Sequence, residues 1–174
     1  MYNGNKLIKL VDVGQLVLSI LNFLHLFATV IWIGGMTTNM LVLMPSMREA
    51  LEPAIAGRFL GVVMKRFRRL VYGSILLLIL AGVPMTLLND NYVSASPFGN
   101  TWSQVTLVKH VFVIALILLT VYAFEVLAPR VAKLAAKGPS PELARLQRLQ
   151  LRLAATGLLL GIIILLFAGI VTAL

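Results

Sequence analysis

The chain contains two histidines, His25 and His110, and both lie inside long apolar segments. His25 stands 20 residues before Pro45, and His110 stands 19 residues before Pro129. In helices both intervals correspond to a rise of about 30 Å, which predicts the two imidazoles at one depth. Metal-binding side chains inside a membrane usually face a functional interior. The spacing predicts that the histidines hold one metal centre from opposite sides, as axial ligands hold haem iron. The alternative is that each ring only hydrogen-bonds a neighbouring carbonyl group.

Three residues that follow His25 could form the wall of a cofactor pocket. Trp32 is two helical turns from His25 on the same face, where its flat ring can line a pocket. Gly34 and Gly35 allow a second backbone or a ring to come close. The same residues would also suit a simple helix-packing notch, and the sequence leaves both interpretations open.

Lys109 and His110 are adjacent on a predicted helix, so their side chains point about 100° apart. They cannot both face His25. If His110 is a metal ligand, Lys109 can extend along the helix and pair with a haem propionate. Otherwise Lys109 is an ordinary lysine of the membrane interface.

A second set of candidate ligands is a row of methionines. Met36, Met40 and Met44 recur every four residues, and Met47 follows them. Thioether sulfur is a good ligand for Cu(I). Methionine is also a common filler of irregular cores, so copper is the alternative to packing here.

Few other residues offer chemistry. Glu125, near Arg130, is predicted either as an interfacial ion pair, which contributes little, or as a proton or quinone contact. The absence of cysteine excludes disulfides, iron–sulfur clusters, thiolate sites and covalently attached c-type haem. The sequence shows no nucleophile paired with a base, no phosphate-binding loop and no carboxylate pair. Two histidines alone also fall short of the ligands that zinc takes.

Composition places the chain in a membrane. Hydrophobic residues make up 60% of the chain and charged residues 12%, too apolar for an ordinary soluble domain. Four stretches are long enough to span a bilayer: 15–44, 70–88, 105–128 and 153–174. Because hydrocarbon offers no partner to backbone groups, these must be helices. The chain is predicted to be an all-α, integral membrane four-helix bundle, a single domain over residues 1–174. The first stretch is too long for a signal peptide, and Met1–Gly14 is predicted as an interfacial lead-in.

The basic residues orient the bundle. The loops after the first and third stretches hold 12 lysines and arginines, against 3 on the other side: Arg48, Arg58, Lys65, Arg66, Arg68, Arg69, Arg130, Lys133, Lys137, Arg145, Arg148 and Arg152 against Lys6, Lys9 and Lys109. By the positive-inside rule, those two loops are cytoplasmic and both termini lie outside, in a bacterial or archaeal cytoplasmic membrane. A basic rim on anionic lipid accounts for the net charge of +9, so no nucleic-acid partner is expected.

The two halves of the sequence resemble each other. Each has a longer helix, a proline, a basic linker and a second helix, and the second helices carry matching tails at 80–83 and 167–170. This layout predicts two parallel helical hairpins related about an axis along the membrane normal.

Prolines are predicted to set the helix boundaries. Pro45 and Pro129 should end their helices because proline cannot continue the backbone ladder, and Pro84 should kink or end the second helix. Residues 138–141 read as a break, with Pro141 in the first turn of the next helix. The segment 94–100 reads as irregular structure.

The first helix resembles that of the CopD-like membrane proteins, a group named for copper resistance and similar in layout to the HemJ-type protoporphyrinogen oxidases. The resemblance rests on His25, six residues, Trp32, one residue, then Gly34 and Gly35, followed by an apolar stretch to Pro45 and a basic loop.

The third segment agrees with that resemblance, with Trp102, then Lys109 opening a Val- and Leu-rich stretch that reaches Pro129. The resemblance implies a four-helix unit. For HemJ-type members it implies haem b bound through the first-helix histidine, here His25, and it points to Lys109. The chain departs from the HemJ pattern by placing His110 beside Lys109 and by lacking an arginine shortly after the first-helix aromatic region.

These observations predict a membrane b-type haem protein that binds one haem through His25 and His110, with Trp32, Gly35 and Lys109 around it. Its predicted role is one-electron transfer with a quinone or a redox partner, as a subunit of a larger respiratory complex rather than as a stand-alone enzyme. The alternatives are copper transport or handling of the CopD type, a HemJ-type porphyrinogen oxidase, and a structural membrane subunit without cofactor.

Overall fold

A computed structural model describes residues 13–92 and 100–174; the predicted lead-in and most of segment 94–100 lie outside them. Four long helices account for nearly all of the described chain: α1 Gly14–Ala50, α2 Pro53–Leu87, α3 Thr101–Ala135 and α4 Pro141–Ala173. Each is long and apolar enough to cross a membrane. At about 1.5 Å per residue each is roughly 50 Å long, which exceeds the hydrocarbon thickness of about 30 Å. The predicted all-α membrane bundle is confirmed.

The helices pack as two antiparallel hairpins. α1 lies along α2, α3 lies along α4, and the middle of α1 also contacts α4. Trp32, Val71 and Leu116, from α1, α2 and α3, form the buried centre, and apolar residues of α4 pack against it. Large apolar side chains such as Val30 (67% exposed) and Leu166 (64% exposed) point away from the bundle. Such an apolar outer surface suits lipid, not water.

The predicted helix ends at Pro45 and Pro129 are wrong. α1 continues beyond Pro45 to Ala50, and α3 continues beyond Pro129 to Ala135. A π-helical segment precedes each proline, Asn39–Leu43 in α1 and Tyr122–Leu127 in α3. In an α-helix the proline ring collides with the carbonyl group four residues earlier. Here that carbonyl lies in a π turn, where hydrogen bonds reach one residue further and the turn is wider. The π segments therefore let both helices continue.

The connections at the end of the bundle that carries most of the basic residues, called here the basic end, are short. The turn between α1 and α2 is only Leu51 and Glu52, so the predicted basic first loop is in fact the beginning of α2. The turn between α3 and α4 uses Gly138 at φ +102°. Ser140 Oγ then accepts a hydrogen bond from the Leu143 amide at 3.1 Å and caps α4. Pro141 is confirmed in the first turn of α4.

Replacing Gly138 by alanine should destabilise the protein by about 1 kcal/mol, because an L-residue seldom adopts positive φ. Gly57 is the matched control: it is exposed inside α2, and like Gly138 it has open space around its Cα. Gly57→Ala should stabilise by roughly 0.5–1 kcal/mol, since glycine is a poor helix former. The measurement is the free energy of unfolding in detergent micelles, followed by circular dichroism. Effects of the same sign for both variants would contradict the assigned turn.

Candidate metal site

A partly open cavity of about 180 Å³ lies between the four helices, in the half of the bundle nearer the basic end. All four helices contribute to its wall. Four of the chain's seven methionines line it: Met36, Met40 and Met44 from α1 and Met64 from α2. Trp32, which the sequence predicted as a pocket wall, lines this same cavity.

The local winding of α1 keeps three methionines on the cavity side. A step of four residues in an α-helix overshoots a full turn by about 40°, so Met44 would point roughly 80° away from Met36. The π segment Asn39–Leu43 lies between them and winds more slowly. It therefore offsets the overshoot.

Two contacts place methionine side chains at particular walls. Met36 reaches α4, where a Cβ at Gly157 would lie 3.8 Å from Met36 Sδ. The buried Gly157 thus leaves room for the sulfur atom. Met64 was missed in the sequence. It lies as far after the turn at residues 51–52 as Met40 lies before it, so an antiparallel hairpin that begins α2 at Pro53 puts the two at one level. That equal spacing is the signal that could have identified it.

The polar groups of the cavity are neutral. Among the described residues that line it, none carries a charge, and the polar ones are Asn39, Thr120, Gln150 and the Trp32 indole. Asn39 Oδ1 and Trp32 Nε1 are buried without a hydrogen-bond partner, although Asn39 Nδ2 donates to the Gly35 carbonyl at 2.8 Å. Buried polar atoms without partners are uncommon in folded proteins. A bound ion or its water would supply a partner for the Asn39 oxygen.

His25 packs against α2. A Cβ at Gly82 would lie 3.1 Å from His25 Cε1 and 3.3 Å from Nδ1, so the absent side chain makes room for the imidazole. His25 Nδ1 is buried and has no hydrogen-bond partner. At the corresponding position of the second hairpin, Gly169 faces open space. The two predicted halves therefore differ in their packing at the histidine level.

His110 is exposed, and its Nδ1 donates a hydrogen bond to the Thr106 carbonyl at 2.7 Å. This is the carbonyl contact that the sequence offered as the alternative to metal binding. His25 nevertheless interacts electrostatically with both Lys109 and His110, so these three groups lie near one another. Their shared role as metal or haem ligands stays a prediction.

The predicted site residues therefore fall into two groups. His25, Lys109 and His110 gather away from the basic end, whereas Trp32 lies in the cavity. Gly35 faces Phe67 of α2, whose ring occupies the space that a side chain at Gly35 would need. Within 13–92 and 100–174, no group of three or more histidine, aspartate or glutamate residues could hold a metal ion.

The predicted pairing of Glu125 with Arg130 is wrong. Glu125 instead accepts a hydrogen bond from the Tyr72 hydroxyl at 2.7 Å and pairs with Arg68 at 3.4 Å. Both partners are on α2, so the carboxylate joins the two hairpins. The prediction failed because it used neighbours in sequence, whereas the partners lie more than 50 residues away.

Comparison with known proteins identifies one family. The family described as copper resistance protein D matches residues 61–172, which include Met64 and nearly all of α3 and α4. No curated protein and no solved structure matches the chain. The similarity to HemJ-type proteins finds no support in these comparisons. The match covers more than half of the sequence and agrees with the four membrane-spanning helices, and the chain belongs to the copper resistance protein D family.

Proposed function

We propose that this protein binds Cu(I) in the methionine-lined cavity and carries it across the membrane. The observation that carries the proposal is the convergence of Met36, Met40, Met44 and Met64 on one cavity whose wall has no charged side chain among the described residues. Membership of a family named for copper resistance supports copper as the metal. Copper is the cargo here, not a resident cofactor.

The chemistry of the wall favours Cu(I) over divalent metals. Thioether sulfur is a soft, neutral ligand that selects Cu(I). Burying a charge in an apolar interior is costly unless it is paired, and the cost is smallest for a monovalent ion. Neutral ligands leave a divalent ion such as Zn²⁺ without compensation. The cavity also has room for an ion with a few water-sized groups, because a water occupies about 30 Å³ in the liquid.

The charge distribution gives the proposed orientation. By the positive-inside rule the basic end is cytoplasmic. The cavity then lies toward the cytoplasm, since Met44 is six residues from the end of α1 at Ala50. His25 lies 11 residues before Met36, about 16 Å away along the helix and toward the outer face. An ion crossing the membrane would pass both levels.

Replacing single cavity methionines by leucine should weaken Cu(I) binding about tenfold, a loss of about 1.4 kcal/mol, because each change removes one sulfur ligand. Met40→Leu and Met64→Leu test one residue from each wall. The shape of the side chain is largely kept, so the fold should be preserved. Affinity is measured by competition with a chromophoric Cu(I) chelator under reducing conditions.

The matched control is Met85→Leu, on the same helix as Met64 but away from the cavity. It should leave Cu(I) affinity unchanged, and Zn²⁺ should not compete with Cu(I) for the wild-type protein. Equal effects of Met64→Leu and Met85→Leu would remove the cavity as the binding site.

Haem b held by His25 and His110 is a second candidate, favoured by the position of Lys109 beside His25. A lysine ammonium repels a copper cation but would stabilise a haem propionate. The Nδ1 hydrogen bond of His110 leaves Nε2 as the ligand atom, the usual way in which a ligating imidazole is oriented. His25 fits less well, because its ring would have to leave the notch at Gly82. When bound, haem would supply one-electron chemistry.

Visible absorption of the detergent-purified protein separates the two candidates. We expect no Soret band in protein from haem-replete cells, because the methionine cavity and not the histidine pair is the proposed functional site. A sharp Soret band, with a reduced α-band near ~560 nm, would instead indicate low-spin b-type haem. Loss of that band in both His25→Ala and His110→Ala would make electron transfer the leading function, with a redox subunit or quinone as partner.

A further inference from the structure

A cluster of side chains joins the two hairpins between α2 and α3. Glu125 of α3 accepts the hydrogen bond from Tyr72 of α2 at 2.7 Å, and Arg68 lies 3.4 Å from the same carboxylate. The Phe124 ring meets the rings of Tyr72 and Phe67 edge to face, with centroids 6.2 and 6.5 Å apart. We call these five residues the α2–α3 clasp.

The clasp forms part of the cavity wall. Phe67 and Phe124 belong to both, and the neighbouring Val71 and Ala123 also line the cavity. Within the described ranges, the backbones of α2 and α3 make little close contact, in contrast to the two helices of each hairpin. On this side the wall is therefore held by side chains, and separation of α2 from α3 would open the cavity.

The contacts of Glu125 are unequal. The Tyr72 hydroxyl makes a short hydrogen bond to an ionised acceptor, a strong class of hydrogen bond. The Arg68 contact is longer, and the side chains of Arg68 and Glu125 are 44% and 45% exposed. Exposed ion pairs of this kind contribute little. The Tyr72 hydroxyl is therefore the polar contact that matters most in the clasp.

The α3 side of the clasp can adjust locally. Phe124 and Glu125 lie in the π segment Tyr122–Leu127, directly before Pro129. π segments interrupt the regular hydrogen-bond ladder and occur frequently at functional sites. The segment allows Phe124 and Glu125 to shift without unwinding the rest of α3.

We infer that the hydrogen bond between Tyr72 and Glu125 holds the cavity closed between α2 and α3, and that its opening sets the rate at which copper leaves. Tyr72 and Glu125 are positioning residues, since they act through the wall and not as metal ligands. The part that concerns copper rests on the proposed function; the closure of the cavity does not.

The first test needs no copper. The sequence contains no cysteine, so a single introduced thiol reports its own accessibility. Ala154→Cys places that thiol on α4, in the cavity wall outside the clasp. Its labelling by a methanethiosulfonate reagent is compared in the otherwise wild-type protein and together with Tyr72→Phe. We expect labelling about tenfold faster with Tyr72→Phe, corresponding to about 1.4 kcal/mol in favour of the open form.

Tyr122→Phe is the matched control, because Tyr122 is an exposed tyrosine of the same π segment that lies outside the clasp. It should leave the labelling rate unchanged. Glu125→Gln keeps an acceptor for Tyr72 but removes the charge, so its effect should be intermediate. Adding Glu125→Gln to Tyr72→Phe should cause little further change, because both substitutions act on one hydrogen bond.

The second test measures release of bound Cu(I) to excess chelator by stopped flow, with the same variants. Release should be faster in Tyr72→Phe by a similar factor, with the free energy of unfolding nearly unchanged. Equal labelling rates in the Tyr72→Phe and Tyr122→Phe backgrounds would overturn the closure. Faster labelling in a protein that binds no Cu(I) would keep the closure and reject the proposed function. Faster labelling with unchanged Cu(I) release would reject the role in release.

Discussion

Every peptide group that crosses the hydrocarbon must find its hydrogen-bond partner within the protein, and the rest of the structure depends on this constraint. It imposes helices on all four spans. It also makes a proline in mid-helix costly, because no water can satisfy the carbonyl group that the proline leaves unpaired. α1 and α3 meet the constraint with a wider turn directly before Pro45 and before Pro129. The wider turn in α1 redirects the methionines, and the one in α3 carries Phe124 and Glu125. Backbone chemistry thus shapes both the cavity and its wall.

The cavity gains its chemical character from what the membrane excludes. A carboxylate-lined site would be costly to bury before its metal arrived, whereas thioethers are neutral and carry no such cost. The same neutrality limits the guest to ions of low charge. Glu125, the acidic residue nearest the cavity wall, is held at the side between Tyr72 and Arg68 and is about half exposed. Its charge therefore faces the interface and not the proposed copper site.

The sequence was sufficient for the architecture because 20-residue apolar stretches have few alternatives in lipid. It placed the beginning of α2 at Leu70 and not Pro53 because the intervening turns are helical but basic, and apolar length alone does not detect them. The row of Met36, Met40 and Met44 was visible as a spacing. Met64 was not, since it joins the others only through the hairpin. Partners of Glu125 likewise required knowledge of which helices meet. For His25, the sequence gave the residue, but its packing on Gly82 depends on the exact level of α2.

The length of α2 has a mechanical consequence. A helix of 35 residues is a stiff rod of about 52 Å, and the part before Tyr72 extends about 28 Å to Pro53. A rod fixed partway along its length transmits rotation. A tilt of about 10° at Tyr72 would displace the far end by roughly 5 Å, given the rise of a helix. The turn at Leu51 and Glu52 contains no spare residues to absorb that displacement, so the adjoining end of α1 would have to follow. Motion at the centre of the bundle and motion at its basic surface are therefore one lever.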